Sequence, residues 1–151
     1  MNSLVNLFGP AGARQQSDKG QARPGSRIRY AEGQLRESLR TGRIRLDLHI
    51  AVLLVLDDKQ APEPLPLARV SRLNWVIGRA PDCDVWLSDT TVSGSHARIQ
   101  RSLRHWSIED LDSTNGTRLN GRRISKRLRL ESGDILSLGA VRLFFKPLLN
   151  S

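Results

Sequence analysis

The sequence predicts an all-β sandwich of about 10–11 short strands, preceded by a mostly disordered tail that includes one short helix. Two observations predict the sandwich. Short apolar or alternating segments follow one another from residue 47 onward, and turn residues separate them every ~8–12 positions or closer. These segments favour a sandwich over alternating βα units. A chain of 151 residues has room for one such domain and a tail.

The first 46 residues form a basic region that we predict to be largely disordered. They carry nine Lys and Arg residues and three acidic residues, and so hold +6 of the formal net charge of +9. Residues 1–27 consist mainly of Gly, Gln, Ala, Pro, Ser and Arg, with few large apolar side chains after Phe8. Such a composition buries too little apolar surface to offset the entropy of ordering.

A short amphipathic helix is predicted within this region, over residues 28–44. It is marginal on its own, because Gly33 and Gly42 lower the helix propensity and isolated helices of this length rarely hold in water. The apolar residues of its predicted face, spaced by four, are Ala31, Leu35 and Leu39.

From residue 47 the composition changes to that of a β domain. The run HIAVLLVLDD is apolar, has the length of a strand and ends in an acidic turn, which suits a buried strand. A Pro-rich connector over residues 61–66 follows it. The further strand segments are, in order, LARVSR, WVIGR, DVWL, HARIQRS, RHWSIEDL, TRLN, RRIS, residues 128–130, DILSLG and VRLFFKP.

Two Asn-Gly dipeptides predict tight turns in the second half of the domain. Both central positions of a type I′ turn need a positive φ, which asparagine and glycine adopt more readily than other residues. Asn115-Gly116 and Asn120-Gly121 are therefore each predicted to form a type I′ hairpin.

The three tryptophans are predicted to occupy core or half-core positions. Trp106 alternates with Ile108 along one strand segment, as residues on the buried face of a sheet do. Trp75 and Trp86 flank the segment around residue 78, where we expect them to pack or to line loops. A stacking platform for nucleic acid is the less favoured interpretation.

Composition excludes several classes of protein. The longest apolar run, residues 50–56, is too short to cross a bilayer, and no secretory signal is recognisable near Met1. The single cysteine, Cys83, cannot form an intrachain disulfide, which fits a reducing compartment. No Cys or His cluster accompanies it, so we predict a half-buried loop thiol and no metal or other cofactor. We expect a soluble, cytoplasmic protein.

Three polar motifs occur where short strands give way to turns. They are Gly78-Arg79, the quartet SGSH at residues 93–96, and STNGT at residues 113–117. A guanidinium group provides charge and bidentate geometry for a phosphate, while small hydroxyls and backbone N–H groups satisfy its remaining oxygens. The motifs together therefore indicate a phosphate-reading surface.

These motifs resemble those of the forkhead-associated (FHA) domain, a module that recognises phosphothreonine in partner proteins. The resemblance covers residues 48–147, and we place the domain at residues 47–149 and the basic tail at 1–46. It is similar to small bacterial single-FHA proteins, which implies a phosphothreonine-containing partner, a Ser/Thr kinase system and no catalysis. The matching residues are Gly78-Arg79, Ser93 with His96, Trp106, Asn115-Gly116, Asn120-Gly121, Gly133-Asp134 and Leu138-Gly139.

The resemblance also implies a role for each site residue. Arg79 would pair with the phosphate, and the hydroxyls of Ser93 and Thr114 would contact its oxygens. The Asn115 side chain would hydrogen-bond the peptide backbone beside the phosphothreonine. Supporting positions in the binding loops would be Gly78, His96 and Gly116.

Gly94 is the clearest departure from the family pattern. The family commonly places Arg, Lys or Asn at this position, whereas Gly94 offers only its backbone N–H. We therefore expect phosphate binding that is weaker or depends more on the backbone.

The sequence also raises three other functions. A phosphate-independent scaffold or docking role stays open because of Gly94. Nucleic-acid binding by the basic tail is less favoured, since its basic residues are dispersed and lack interleaved aromatics. An enzyme is not predicted, because Ser93 and His96 lack the G-x-S-x-G elbow and the orienting carboxylate of a hydrolase.

Two further features remain. Thr41 has Arg36 and Arg40 upstream, as sites of basophilic kinases do, and is a candidate phosphosite whose phosphorylated form would bind the chain's own domain. A basic cluster follows the second Asn-Gly turn, and it is either a solvated hairpin face or a surface for an acidic partner. Its members are Arg122, Arg123, Lys126, Arg127 and Arg129.

Overall fold

The computed structural model describes residues 24–56, 64–68 and 73–148, which form two β-sheets and one helix. The helix, α1, spans Pro24–Thr41. The strands are β1 (His49–Val55), β2 (Leu65–Ala68), β3 (Asn74–Gly78), β4 (Val85–Trp86), β5 (Ala97–Arg101), β6 (Trp106–Asp110), β7 (Thr117–Leu119), β8 (Arg122–Arg123), β9 (Leu128–Leu130), β10 (Ile135–Leu138) and β11 (Val141–Pro147).

The eleven strands in the described residues confirm the predicted β-sandwich. One sheet has six strands in the order β2-β1-β11-β10-β7-β8, and the other has five in the order β4-β3-β5-β6-β9. The registered pairs are antiparallel except for β3 with β4, which run parallel. Because β3, β5 and β6 are antiparallel neighbours, the end of β3, the start of β5 and the end of β6 lie at the same end of their sheet.

Strand β2 lies earlier in the chain than the sequence predicted. The segment LARVSR begins at residue 67, whereas β2 begins at Leu65, within the predicted Pro-rich connector. Pro66 lies on β2, the outermost strand of the six-stranded sheet, and pairs with Val52 of β1. A missing backbone N–H is tolerated on such an edge strand. Residues 69–72 of the predicted strand lie outside the described residues.

Only one of the two Asn-Gly dipeptides has the dihedral angles of a type I′ turn. Asn120 and Gly121 both have positive φ, of 52° and 88°, and they join β7 to β8 as predicted. At Asn115-Gly116 only the glycine does, with φ of 86°, so the type I′ prediction there is wrong. The reason is topological: this loop leads from β6 in one sheet to β7 in the other and does not close a hairpin.

The main core lies between the two sheets and contains an aromatic cluster. The ring centroids of Trp75 and Trp106 are 5.6 Å apart, and Phe145 meets Trp106 edge-on at 5.0 Å. Both tryptophans are buried, as predicted. Trp86 is not a core residue, since 53% of its surface is exposed. It stands on the short edge strand β4 and lines a loop instead.

The predicted helix is present with different bounds. It begins at Pro24, because proline favours the first helical turn, and ends at Thr41, because Gly42 has a φ of 84° that stops a helix. Disorder is predicted for residues 1–27, which is wrong for residues 24–27, because they form the first turn of α1; residues 1–23 lie outside the described residues. No helix in the described part of the chain is long and apolar enough to cross a membrane.

Helix α1 covers the outer face of the six-stranded sheet. Ala51 and Leu53 face the main core, so the alternate residues Val52 and Leu54 point to the opposite side of β1. Ala31 and Leu35 of α1 and Ile44, which follows the helix, are buried in a second cluster with Val52, Leu54, Leu56, Phe144 and Leu148. The helix is thus held by tertiary packing, and the boundary at residues 46 and 47 stays a prediction.

Candidate functional site

The four predicted ligand readers lie on three loops at one end of the sandwich. These loops, residues 79–84, 87–96 and 111–116, follow β3, precede β5 and follow β6, and we call them the loop end. The antiparallel order of the three strands brings the loops together. The structure thereby places Arg79, Ser93 and the consecutive residues Thr114 and Asn115 side by side, although the three loops are separated in the sequence.

Arg79 is exposed and is held in place by backbone groups. Its backbone N–H donates to the carbonyl oxygen of Ser93 at 2.9 Å, and its Nε donates to the carbonyl oxygen of Val92, also at 2.9 Å. The Nε bond orients the guanidinium plane, while the Nη groups retain N–H donors for an anion. Arg79 can therefore meet a phosphate with a preset geometry.

Gly78 and Gly94 pack against each other with no space for a side chain between them. A Cβ on Gly78 would lie 2.1 Å from the carbonyl oxygen of Gly94. That oxygen also accepts a hydrogen bond from the N–H of Ala80 at 3.1 Å. By contrast, a Cβ on Gly94 would contact only the Cβ of Ala80, at 4.0 Å. Gly78 is thus required by packing, whereas Gly94 has open space on its exposed side.

Cys83 supports the same carbonyl group. Its Sγ donates to the carbonyl oxygen of Gly94 at 3.1 Å. Burial, together with the nearby Asp82 carboxylate, raises the pKa of the Cys83 thiol. The half-buried loop thiol that the sequence predicted is confirmed, and it is a poor nucleophile at neutral pH.

Ser93 and Thr114 are joined across 21 positions of the chain. The backbone N–H of Thr114 donates to the Oγ of Ser93 at 3.0 Å. Because Ser93 accepts here, its own hydroxyl proton remains as a donor. The Thr114 side chain is exposed beside it. Two hydroxyl groups therefore stand on adjoining loops at the loop end.

His96 is completely buried beneath these loops and connects them. Its Nδ1 accepts a hydrogen bond from the backbone N–H of Ser93 at 3.0 Å, which assigns the ring proton to Nε2. Nε2 in turn donates to the carbonyl oxygen of Gly116 at 2.9 Å. Both ring nitrogens are occupied by backbone groups, so the ring fixes loop positions and has no nitrogen left for the Ser93 hydroxyl.

Asp110 organises the third loop, and the sequence analysis did not single it out. Its Oδ1 accepts hydrogen bonds from the hydroxyls of Ser113 and Thr117, both at 2.6 Å, and its Oδ2 accepts from the N–H of Ser113 at 3.1 Å. Burial raises the pKa of Asp110, but these hydrogen bonds outweigh it and leave the pKa below the ordinary value. The Ser113 hydroxyl then accepts from the N–H of Gly116 at 2.9 Å.

Asn115 is oriented by Thr91, a second residue that the sequence analysis did not assign to the site. The Nδ2 of Asn115 donates to the carbonyl oxygen of Thr91 at 2.9 Å. Asp89 holds Thr91 in turn, since its Oδ1 accepts from the Thr91 backbone N–H at 2.8 Å. The exposed Asn115 amide is thereby fixed, and its Oδ1 and second N–H remain for a ligand.

Two other predicted residues, Trp86 and Thr41, lie on the short strand β4 and at the last position of α1. The Nε1 of Trp86 donates to the carbonyl oxygen of Arg79 at 2.9 Å, so this exposed ring borders the loop end. Thr41 is exposed at the C-terminal end of α1, with its hydroxyl 3.4 Å from the carbonyl oxygen of Ser38. Ile44, three residues on, belongs to the second buried cluster, between α1 and the six-stranded sheet. A phosphosite at Thr41 stays a prediction.

In the described part of the chain, no group of three His, Cys, Asp or Glu side chains could hold a metal ion. The exposed side chains of Arg79, Thr114 and Asn115 instead offer N–H and O–H donors suited to an anion. The fold and this site define the class of protein: residues 75–139 match the family model of the FHA domain, and the chain therefore contains an FHA domain.

The chain is similar in sequence to curated bacterial proteins. The chain is 35% identical over 72 residues to the FHA domain-containing protein FhaB of Mycobacterium tuberculosis, covering 48% of this chain and 46% of that protein. It is 40% identical over 68 residues to the oxoglutarate dehydrogenase inhibitor of Corynebacterium jeikeium, covering 45% and 46% respectively. The chain thus spans about half the length of the curated relatives it matches.

A solved structure shares this fold. It comes from work on phosphothreonine-dependent FHA domain interactions and is 28% identical to this chain, with a TM-score of 0.55. The likeness covers 64% of this chain and 94% of that one, so nearly the whole of the known domain has a counterpart here.

Proposed function

We propose that this chain is a phosphothreonine-dependent protein-binding module that acts in Ser/Thr kinase signalling or assembly. One observation carries the proposal: Arg79, Ser93, Thr114 and Asn115 are fixed side by side at the loop end by hydrogen bonds between the loops. The FHA domain match and the phosphothreonine-dependent relative support the same function.

The proposed mechanism is charge pairing with preset donors. The Nη groups of Arg79 bind phosphate oxygens, and each charge-assisted hydrogen bond contributes about 1.5–3 kcal/mol. The Ser93 hydroxyl donates its proton to the phosphate, because its oxygen already accepts from the N–H of Thr114. The exposed hydroxyl of Thr114 supplies a further donor. These groups need little reorganisation on binding, which limits the entropy cost.

Asn115 is proposed to read the peptide backbone beside the phosphothreonine. Its anchoring to Thr91 fixes the amide plane, so its Oδ1 and free N–H can pair with a main-chain N–H and C=O. Preference for threonine over serine would come from burying the extra methyl group, which is worth about 0.8 kcal/mol.

Recognition without chemistry agrees with the environment of His96. Its two nitrogens bind the backbone of Ser93 and Gly116, so it cannot take a proton from the Ser93 hydroxyl. The partner we propose is a phosphothreonine-containing protein and the upstream system a Ser/Thr kinase. The regulatory name of the corynebacterial relative is in keeping with a binding role.

An oriented phosphothreonine peptide library tests this function. Wild type should enrich phosphothreonine peptides, and Arg79→Ala should lower their affinity by more than about tenfold. Arg104→Ala removes another exposed arginine from the turn at the opposite end of the β5–β6 pair and serves as the control. Equal enrichment by wild type and Arg79→Ala would instead favour phosphate-independent docking.

A further inference from the structure

The β7–β8 hairpin carries a basic surface that the phosphate site does not use. Arg118, Arg122 and Arg123 are exposed on it, and Lys126 follows close by in the sequence. Among the residues that the structure describes, the side chains of Arg122, Arg123 and Lys126 make no hydrogen bond or ion pair. A cluster of cations without anionic partners is a surface suited to an anion from outside the chain.

Arg118 and Arg123 form a cross-strand pair of like charge. They are direct partners in the register of β7 with β8, where side chains stand about 4.5–5.5 Å apart at Cβ. Thr117, the preceding residue on β7, is completely buried, so Arg118 points to the opposite, solvent side. Like charges at such a position destabilise a hairpin, so fold stability does not explain this pair. A bound anion between the two guanidinium groups would remove the repulsion.

The Arg123 side chain lies directly against the loop end. A Cβ added to Gly116 would be 2.8 Å from both Cζ and Nε of Arg123, so the guanidinium group covers the backbone of Gly116. Gly116 follows Asn115, whose side chain is fixed toward Thr91. The like-charge pair is therefore continuous with the proposed phosphopeptide site.

We propose that Arg118 and Arg123 bind a second anionic group of the ligand, a carboxylate or another phosphate, within about four residues of the phosphothreonine. Two guanidinium groups can each donate two parallel N–H bonds to such a group, which selects anions over neutral side chains. This inference rests on the proposed function. It gives the binding module a selectivity for acidic or multiply phosphorylated segments.

A scanned peptide tests the inference. The probe is a phosphothreonine flanked on each side by four alanine or serine residues, with glutamate or phosphoserine introduced at one position at a time. Fluorescence anisotropy measures the affinity for wild type, for the double variant R118Q/R123Q and for R104Q, which removes an exposed arginine at the opposite end of the β5–β6 pair.

At one or more positions, glutamate should raise the affinity of wild type and R104Q by about fivefold, and phosphoserine by more. The gain should shrink as salt is raised. R118Q/R123Q should lose this gain in affinity. It should still bind the phosphothreonine peptide with uncharged flanking residues within about twofold of wild type. Its Tm should not fall, because a repulsion between two like charges has been removed.

Three results would overturn the inference. They are an equal gain in R118Q/R123Q, no gain at any position in wild type, or a lower Tm with weaker binding of the neutral peptide, which would make Arg123 a structural prop of the loop. Failure of wild type to bind any phosphothreonine peptide would overturn the proposed function as well, and that result is recognised without either arginine variant.

Discussion

The Nε2 atom of the buried His96 donates to the carbonyl oxygen of Gly116, 2.9 Å away and 20 positions along the chain. The same ring accepts from the N–H of Ser93, so one side chain joins the two loops that carry the hydroxyl and amide donors. A residue that makes no proposed contact with the ligand thereby sets the geometry of those that do.

Replacing His96 with alanine should destabilise the domain and weaken phosphopeptide binding together. The change leaves the N–H of Ser93 and one bond of the Gly116 carbonyl unsatisfied, which costs about 2–4 kcal/mol. Urea unfolding and peptide anisotropy measure the two effects. His105→Ala, in the exposed turn between β5 and β6, is the control and should change neither. A His96→Ala protein with normal stability would contradict the linking role.

Asp110→Asn should reveal the acid dependence of the third loop. Hydrogen bonds lower the pKa of Asp110 in the folded protein, so its contribution is present above the unfolded value of about 3.9 and lost as pH falls through the folded value. The free energy of unfolding of wild type should therefore exceed that of the variant by about 1–3 kcal/mol from pH 5 to 8. This difference should narrow below about pH 4. Urea unfolding across this range measures it, and a difference independent of pH would contradict the assignment.

Gly94→Arg should strengthen phosphothreonine binding. The site is exposed, a Cβ there meets only Ala80 at 4.0 Å, and its φ is not in the positive range, so the side chain fits without strain. One added charge-assisted bond should raise affinity by about tenfold. Leu103→Arg adds the same charge at a remote exposed turn and should have little effect. Equal gains from both variants would point to a long-range charge effect.

Gly33→Ala should stabilise the protein by about 0.5–1 kcal/mol, because Gly33 lies within α1 and a Cβ there has no neighbour within 4 Å. Gly42→Ala is the matched opposite, since its φ of 84° strains any side chain. Thermal or urea unfolding compares the two variants. If neither changes the free energy of unfolding, α1 is not part of the cooperative folded unit.

The strands were predictable where neighbouring residues alternate between core and solvent. Trp106 and Ile108 show that alternation, and both lie in the core of β6 as expected. The packing of α1 against the sheet was not predictable, because Val52 and Leu54 belong to a continuous apolar run whose two faces look alike in the sequence. Both faces of β1 are buried, and the outer one needs the helix.

The donor side chains of the candidate site were predictable from the sequence, but the hydrogen bonds that hold its loops in place were not. Arg79 and Ser93 belong to motifs that can be read locally, whereas the role of Asp110 depends on Thr117, seven residues away and beyond a loop. The spacing Asp-x-x-Ser from Asp110 to Ser113 was the available signal, since such pairs often close turns. The type I′ hairpin predicted at Asn115-Gly116 was wrong, because a rule based on two neighbouring residues cannot show that the chain crosses from one sheet to the other there.

Phosphothreonine recognition is tested most directly by the dissociation constant of one library-selected peptide in three forms, measured by isothermal titration calorimetry. The phosphothreonine form should bind at least about 100-fold more tightly than the unmodified threonine form, and the phosphoserine form about fourfold more weakly than phosphothreonine. Arg79→Ala should remove most of the difference between the first two forms. Equal dissociation constants for phosphorylated and unmodified threonine would contradict the account.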